Sequence, residues 1–233
     1  MLFHVGIENN NEGSRSVAWA LEHPGCYAYG KDADVALAAF PAALRAYSNW
    51  ISLHELSWLH IQNIDVSVSG VWNSYSVNDK FDRVESGENS SAVEAWFQYD
   101  WKPLTDEEIE RALKMLTWSR IDLIKAITGL SSERLDKTNV GERWSINGIL
   151  RHIGGAEWWY MDRLGRAFPQ AELPKTPMER LEKARAAFLE MLPQLKGVKQ
   201  VVGLEGEFWS PRKVLRRTLW HERDHTEHIR KLV

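Results

Sequence analysis

The residues best placed to do chemistry lie near the C-terminus, in Trp220 to Ile229, which reads Trp-His-Glu-Arg-Asp-His-Thr-Glu-His-Ile. His221 and His225 stand four residues apart in a segment with helical periodicity, so both imidazoles fall on one face about one turn apart. Two neutral imidazoles so presented can grip one divalent transition metal. Val214, Thr218, Ile229 and Leu232 step along the same face by threes and fours, so the histidines share the core-facing stripe. Polar groups on such a stripe need partners, and a metal would supply one. Histidine pairs at this spacing also arise without a metal, so a third ligand carries more weight than the pair. His152 is the candidate, on a stripe of Ser145, Ile149, His152, Ala156, Trp159 and Arg163 in another expected helix. Gly154 and Gly155 follow it. Glycine in a helix costs about 1 kcal/mol relative to alanine, which a close helix approach or a crowded site would offset.

A divalent ion held by three neutral imidazoles keeps its charge and at least one open coordination position. It lowers the pKa of a bound water or thiol toward neutrality and polarises substrate oxygens. Glu157 and Glu222 are the nearest carboxylates in sequence and the candidates for base work or for orienting the ligands. Glu157 lies five residues after His152, roughly 140° around the helix from it. The segment His221-Glu222-Arg223-Asp224-His225 also matches His-Glu-x-x-His, the zinc-protease motif in which the glutamate is the general base. Such proteases take their third ligand downstream, and the eight residues after His225 contain no further helix for it. The third ligand must come from upstream. His228 is expected at the surface or supporting the site, and His4, His23, His54 and His60 have no partner pattern. Cys26, in a Pro-Gly-Cys turn, reads as a packing residue.

The elements that must hold these residues are helical. Thr105 and Glu108 form a capping-box pattern ahead of Ile109, Leu113, Leu116, Arg120, Ile124 and Ile127. Thr138 to Trp144 reads as a loop, and Ser145 caps the helix that carries His152. Thr176-Pro177-Met178-Glu179 reads as another capping box, leading into a face of Leu181, Ala184, Phe188 and Leu192. Lys196 to Trp209 reads as a long glycine-containing loop before Ser210-Pro211 opens the last helix. Four helices with apolar stripes and such connections predict a four-helix bundle over 104–233.

Residues 1–30 read instead as strands. Phe3, Val5 and Ile7 alternate, Asn9 to Gly13 is a turn cluster, Ser16 to Leu21 returns, and Cys26 to Tyr29 follows the His23-Pro24-Gly25 break. From Ala33 an alanine-rich run reads as helix capped by Asp32, with Pro41 a point of kinking or early breakage. Ile64 to Val71 alternates as a strand, 72–103 reads as a polar connector, and Val93 to Trp101 can add one more strand. His23-Pro24-Gly25-Cys26, Gly30 and the helix with Asp34, Ala36 and Leu37 resemble the HicB-like domain, which implies a small β-β-β-α-β fold over 1–71. In antitoxins that module is joined to a DNA-binding region, and no counterpart of that region stands out here. The fold class expected is therefore α+β, a HicB-like unit followed by a helical bundle.

The chain has 233 residues, 44% hydrophobic and 26% charged, with a net charge of −3. That balance is ordinary for a globular protein and gives no sign of nucleic acid or membrane as partner. A single cysteine excludes an intrachain disulfide and fits a cytoplasmic setting. No signal peptide and no membrane-spanning apolar run is expected. Twelve tryptophans ask for two cores, or for one core and an aromatic-lined pocket.

Arg143-Trp144-Ser145 leading into Ile149-Leu150-Arg151-His152-Ile153 and Glu157, with Leu219-Trp220-His221-Glu222-Arg223-Asp224-His225, resembles the DinB superfamily of YfiT-like metal-dependent proteins across 104–233. The resemblance implies that His152, His221 and His225 bind one divalent metal, zinc or nickel, with positions open for water or substrate. It also implies a thiol-dependent S-transferase, using a low-molecular-weight thiol, and a homodimer; with metal-bound water as the nucleophile the enzyme would instead be a hydrolase, and either would act on a small electrophile. The competing reading is a non-enzymatic binding or interaction protein with a structural or vestigial metal site. Coordination separates them: a closed four-ligand site is a staple, whereas three ligands beside a cleft permit chemistry.

Overall fold

The computed structural model describes residues 1–12, 14–54, 58–87 and 89–233. Gly13, in the expected turn cluster, and Glu88, in the expected connector, lie outside the described residues. The chain divides into two compact units, 1–102 with 199–213, and 103–198 with 214–233.

The first unit opens with β1 (Leu2–Asn11), β2 (Arg15–Ala20) and β3 (Tyr27–Gly30), then α1 (Ala33–His54) and β4 (Asp65–Asn73). The four strands form one sheet in the order β3-β2-β1-β4, with β1 antiparallel to β2 and parallel to β4. The parallel pairing follows from the crossover through α1, which packs on β3, β2 and β1. Val35 N–H donates to Asp32 Oδ1 at 2.9 Å, as expected of the cap. The helix runs through Pro41 without a break and buries Ala36, Phe40, Leu44, Tyr47 and Ile51. Phe3, Val5 and Ile7 are buried as their alternation predicts, but so are Gly6 between them and Glu8 after them. The reason is a second cover. The Phe97 ring lies so close over Gly6 that a Cβ there would meet it at 2.6 Å.

Residues 72–103 depart from the expected connector. They hold a three-stranded sheet of β5 (Tyr75–Val77), β6 (Arg83–Val84) and β7 (Ser91–Val93), in the order β6-β5-β7. The strand expected over Val93 to Trp101 ends at Val93, and Gln98–Trp101 is a 3₁₀ turn. Asp100 Oδ2 accepts from Phe97 N–H at 2.9 Å, a local bond that competes with extended structure. The loop expected over Lys196 to Trp209 contains a hairpin, β8 (Val202–Leu204) and β9 (Glu207–Trp209), turned by Glu205 and Gly206, both at positive φ.

The second unit is helical: α2 (Asp106–Ile127), the short α3 (Ser132–Asp136), α4 (Ile146–Asp162), α5 (Pro177–Met191) and most of α6 (Pro211–Leu232). The α2 capping box is complete, with Glu108 N–H to Thr105 Oγ1 at 3.2 Å and Thr105 N–H to Glu108 Oε2 at 2.9 Å. The box expected at Thr176 is not formed. Its hydroxyl donates to Glu179 Oε2 at 2.5 Å instead of accepting from the backbone. Leu123, Ile146, Ile149, Leu150, Ile153, Leu181 and Ile229 make a buried apolar cluster drawn from α2, α4, α5 and α6.

Candidate metal centre

His152 projects from the middle of α4, whose start is fixed by Ser145 Oγ accepting from Gly148 N–H at 3.2 Å. His221 and His225 project from consecutive turns of α6. The three rings meet. His221 Nε2 lies 2.9 Å from His152 Nε2 and 3.2 Å from His225 Nε2, and the ligand atoms of all three fall within 4.8 Å of one another. Among the described residues no fourth His, Cys, Asp or Glu joins this group.

Two nitrogens each about 2.1 Å from one ion, at angles between about 90° and 110°, lie roughly 3.0–3.4 Å apart. The His221–His225 separation lies in that range and the His221–His152 separation just below it. The protonation chemistry points the same way. A neutral imidazole nitrogen carries either one hydrogen or one lone pair, yet His221 Nε2 faces two others, and one hydrogen or one lone pair cannot bond well to both. A cation among the three accepts every lone pair at once. Burial, then the neighbouring His225, His152 and Arg217, hold the pKa of His221 well below its ordinary value. Burial and Arg143 lower that of His152. The His221 and His152 rings are therefore favoured in the neutral state, with a lone pair available, at neutral pH.

Trp144 covers the outer ring. Its indole lies 4.7 Å from the His152 ring at 34°, and the Arg143 guanidinium lies over the Trp144 ring, 4.6 Å from its centroid. A Cβ at Gly148 would meet Trp144 Cβ at 2.9 Å, so this residue leaves the indole its place. Gly154 answers a different need. A Cβ there would lie 2.9 Å from Arg180 Cγ and 3.1 Å from the backbone of Arg180 and Leu181, so α4 and α5 approach closely at that point.

Glu157 and Glu222 are buried; arginines hold both oxygens of Glu157 but only Oε2 of Glu222, whose Oε1 has no hydrogen-bond partner among the described residues. Arg120 Nη2 donates to Glu157 Oε2 at 3.1 Å and Arg120 Nε to Glu222 Oε2 at 2.9 Å. Arg185 Nε donates to Glu157 Oε1 at 2.5 Å, and its Nη2 lies 3.0 Å from Glu222 Oε2. One charged side chain from each of α2, α4, α5 and α6 thus enters a closed set of two guanidiniums and two carboxylates. Burial alone would raise the pKa of Glu222, but Arg185 and Arg120 outweigh it and hold the carboxyl below its usual range. Burial likewise opposes the charge on Arg185, and Glu157 and Glu222 more than restore it. Ile153, Tyr160 and Thr218 line a narrow crevice together with His221, Glu157 and Arg185, so the set is contiguous with the histidines.

Sequence reasoning passed over Arg120 and Arg185, although both carried a signal. Arg120 sits on the apolar stripe of α2, and Arg185 follows Leu181 by four on that of α5. His228 turns away from the triad, its Nε2 2.9 Å from Glu142 Oε2. Cys26 is buried. No helix among the described residues is long and apolar enough to cross a membrane.

Residues 115–229 match the family model of the DinB superfamily, a stretch that contains the three histidines and all four members of the charged set. No curated protein matches the chain.

Proposed function

We propose that this chain is a metal-dependent enzyme of the DinB type, in which His152, His221 and His225 hold one divalent ion, zinc or nickel, beside an open position. The observation that carries this reading is the convergence of three imidazole nitrogens with no fourth protein ligand in the group. A three-histidine set leaves room for a reacting molecule, whereas a structural site closes with four. Bound there, the metal would supply a nucleophile at neutral pH, from water or from a low-molecular-weight thiol. The substrate would be a small electrophile, and the reaction thiol transfer or hydrolysis.

The chain's own groups have distinct tasks in this scheme. Ser145 and Gly154 fix where α4 begins and how near it lies to α5, and so fix the height of His152. Trp144 keeps water off one face of that ring. Glu157 and Glu222 are occupied by arginines, which favours a positioning role over proton transfer. Glu222 adjoins His221, and its two guanidinium partners clamp the turn of α6 that presents that ligand. The second reading, a structural staple, draws on the fact that the three histidines join only α4 and α6.

The test is metal content of the purified full chain by mass spectrometry, for wild type, His152→Ala and His221→Ala. About one metal per chain, lost in both variants, supports the site. No metal after dialysis against zinc, nickel and manganese would refute it. Cobalt-loaded protein then separates the two readings. A thiolate-to-cobalt absorption band on adding a low-molecular-weight thiol supports an open reaction centre. An unchanged spectrum, with unfolding on chelation, supports the staple.

A further inference from the structure

The first unit contains a cavity of about 620 Å³ where the end of β1 meets the β5–β6–β7 sheet, bounded by Glu8, Asn11, Ser74, Ser76, Glu85 and Glu94. Its size is that of small-molecule sites generally. Its floor is built. Glu8 is fully buried, its Oε1 accepting from Ser74 Oγ at 2.6 Å and Ala95 N–H at 3.0 Å, its Oε2 from Trp19 Nε1 at 2.9 Å. Ser74 has thereby spent its hydrogen and keeps lone pairs to offer. Ser76 and Ser86, both on the wall, bond to each other through their hydroxyls at 2.8 Å, which leaves one hydroxyl hydrogen between them.

Asn11 is the telling residue. It is 1% exposed, and its Oδ1 accepts from Arg15 Nε at 3.3 Å, while its Nδ2 has no acceptor. Its neighbours Asn10 and Glu12 both adopt positive φ, at 57° and 49°, where the β1–β2 register shifts. Such backbone is costly for residues other than glycine, and here it turns Asn11 inward between two exposed neighbours. A buried amide donor on a cavity wall without an acceptor calls for a ligand oxygen.

We propose that this cavity binds a carbohydrate, a neutral or amino sugar of one or two rings. The wall carries the carboxylates Glu8, Glu12, Glu85 and Glu94 against the single guanidinium Arg83, and Glu12 is paired with Arg15 at 2.6 Å. That balance repels phosphates and other anions. A polyamine would suit the carboxylates but offers no acceptor to Asn11 Nδ2 or Arg83. The carboxylates do not gather as a metal site, because among the described residues only the histidine triad brings metal-ligating atoms together. A sugar hydroxyl both donates and accepts, so one ring serves the carboxylates, the amide and the serines together. Tyr75, Val84 and Ala92 supply the apolar surface that the C–H face of a sugar needs.

The experiment is calorimetric titration of the full chain at neutral pH with glucose, glucosamine, N-acetylglucosamine, spermidine and inorganic phosphate. At least one sugar is expected to bind, and Asn11→Ala and Glu85→Gln are each expected to weaken it about tenfold, with metal content unchanged. Glu85 is exposed, so Glu85→Gln carries the test if Asn11→Ala fails to fold. The proposal is overturned if no sugar binds at about 10 mM. It is also overturned if spermidine or phosphate binds in preference, or if sugar binding survives Glu85→Gln undiminished.

Discussion

Replacing Arg185 by methionine tests how much of the helical unit rests on its buried charges. The guanidinium, with its side chain 7% exposed, donates to Glu157 Oε1 at 2.5 Å and Leu116 O at 2.5 Å and lies 3.0 Å from Glu222 Oε2. Methionine keeps the apolar stem and removes every donor. Arg120 is then the one remaining guanidinium for two carboxylates whose side chains are 3% and 1% exposed, and the interior carries a net negative charge. Removing one partner of a buried ion pair costs about 3–5 kcal/mol, chiefly because the other charge stays buried. The Leu116 carbonyl also loses a donor, a cost of about 1–3 kcal/mol that overlaps the first and is not added to it. With a urea slope of about 2 kcal/mol per molar, the midpoint should fall by roughly 2 M. Far-UV circular dichroism during urea unfolding reads this directly. Adding Glu157→Gln to Arg185→Met leaves Arg120 and Glu222 as a balanced pair and should recover much of the loss. A loss below about 1 kcal/mol, the range of a solvated surface pair, would refute the reasoning. So would a double variant less stable than the single one.

The helix contacts give further tests. Gly154→Ala drives a Cβ to 2.9–3.1 Å from Arg180 and Leu181 and should destabilise by about 1–3 kcal/mol in thermal melts. Gly155→Ala, one residue on, meets only Arg180 Nη1 at 3.6 Å and should stabilise by up to about 1 kcal/mol through helix propensity. Equal effects at the two positions would contradict the close approach. Ser145→Ala removes the α4 cap and should cost about 1 kcal/mol, read in the same melts. Trp144→Ala uncovers His152 and should weaken metal retention about tenfold in a chelator competition, together with a loss of urea stability because the indole also packs against the helical core.

Helix positions and the three histidines were legible because their signals are local. Thr105, Ser145 and Pro177 mark helix starts, and stepping by threes and fours from His221 reaches His225 and Ile229. Gly154 also announced a close approach, which proved to be the backbone of α5. The partners of Glu157 and Glu222 were not legible, since Arg120 and Arg185 lie on other helices and only packing brings them together. Arg120 lies on an apolar stripe, and a charge at such a position demands a buried counter-charge. The three short strands between Tyr75 and Val93 escaped because strands of two or three residues show too little alternation for a period to register. The hairpin at Glu205-Gly206 had a turn signal, but its strands are equally short.

The order in which the ribosome delivers the chain gives the charged set a further meaning. Arg120, Glu157 and Arg185 emerge first, and until α6 follows they carry one positive charge too many for a dry interior. A dry packing of α2, α4 and α5 around this point is therefore disfavoured before α6 is in place. Glu222 supplies the missing charge, and it arrives on the same turn of α6 as His221 and just ahead of His225. Neutralising the interior and completing the histidine triad thus both depend on α6, which carries Glu222, His221 and His225.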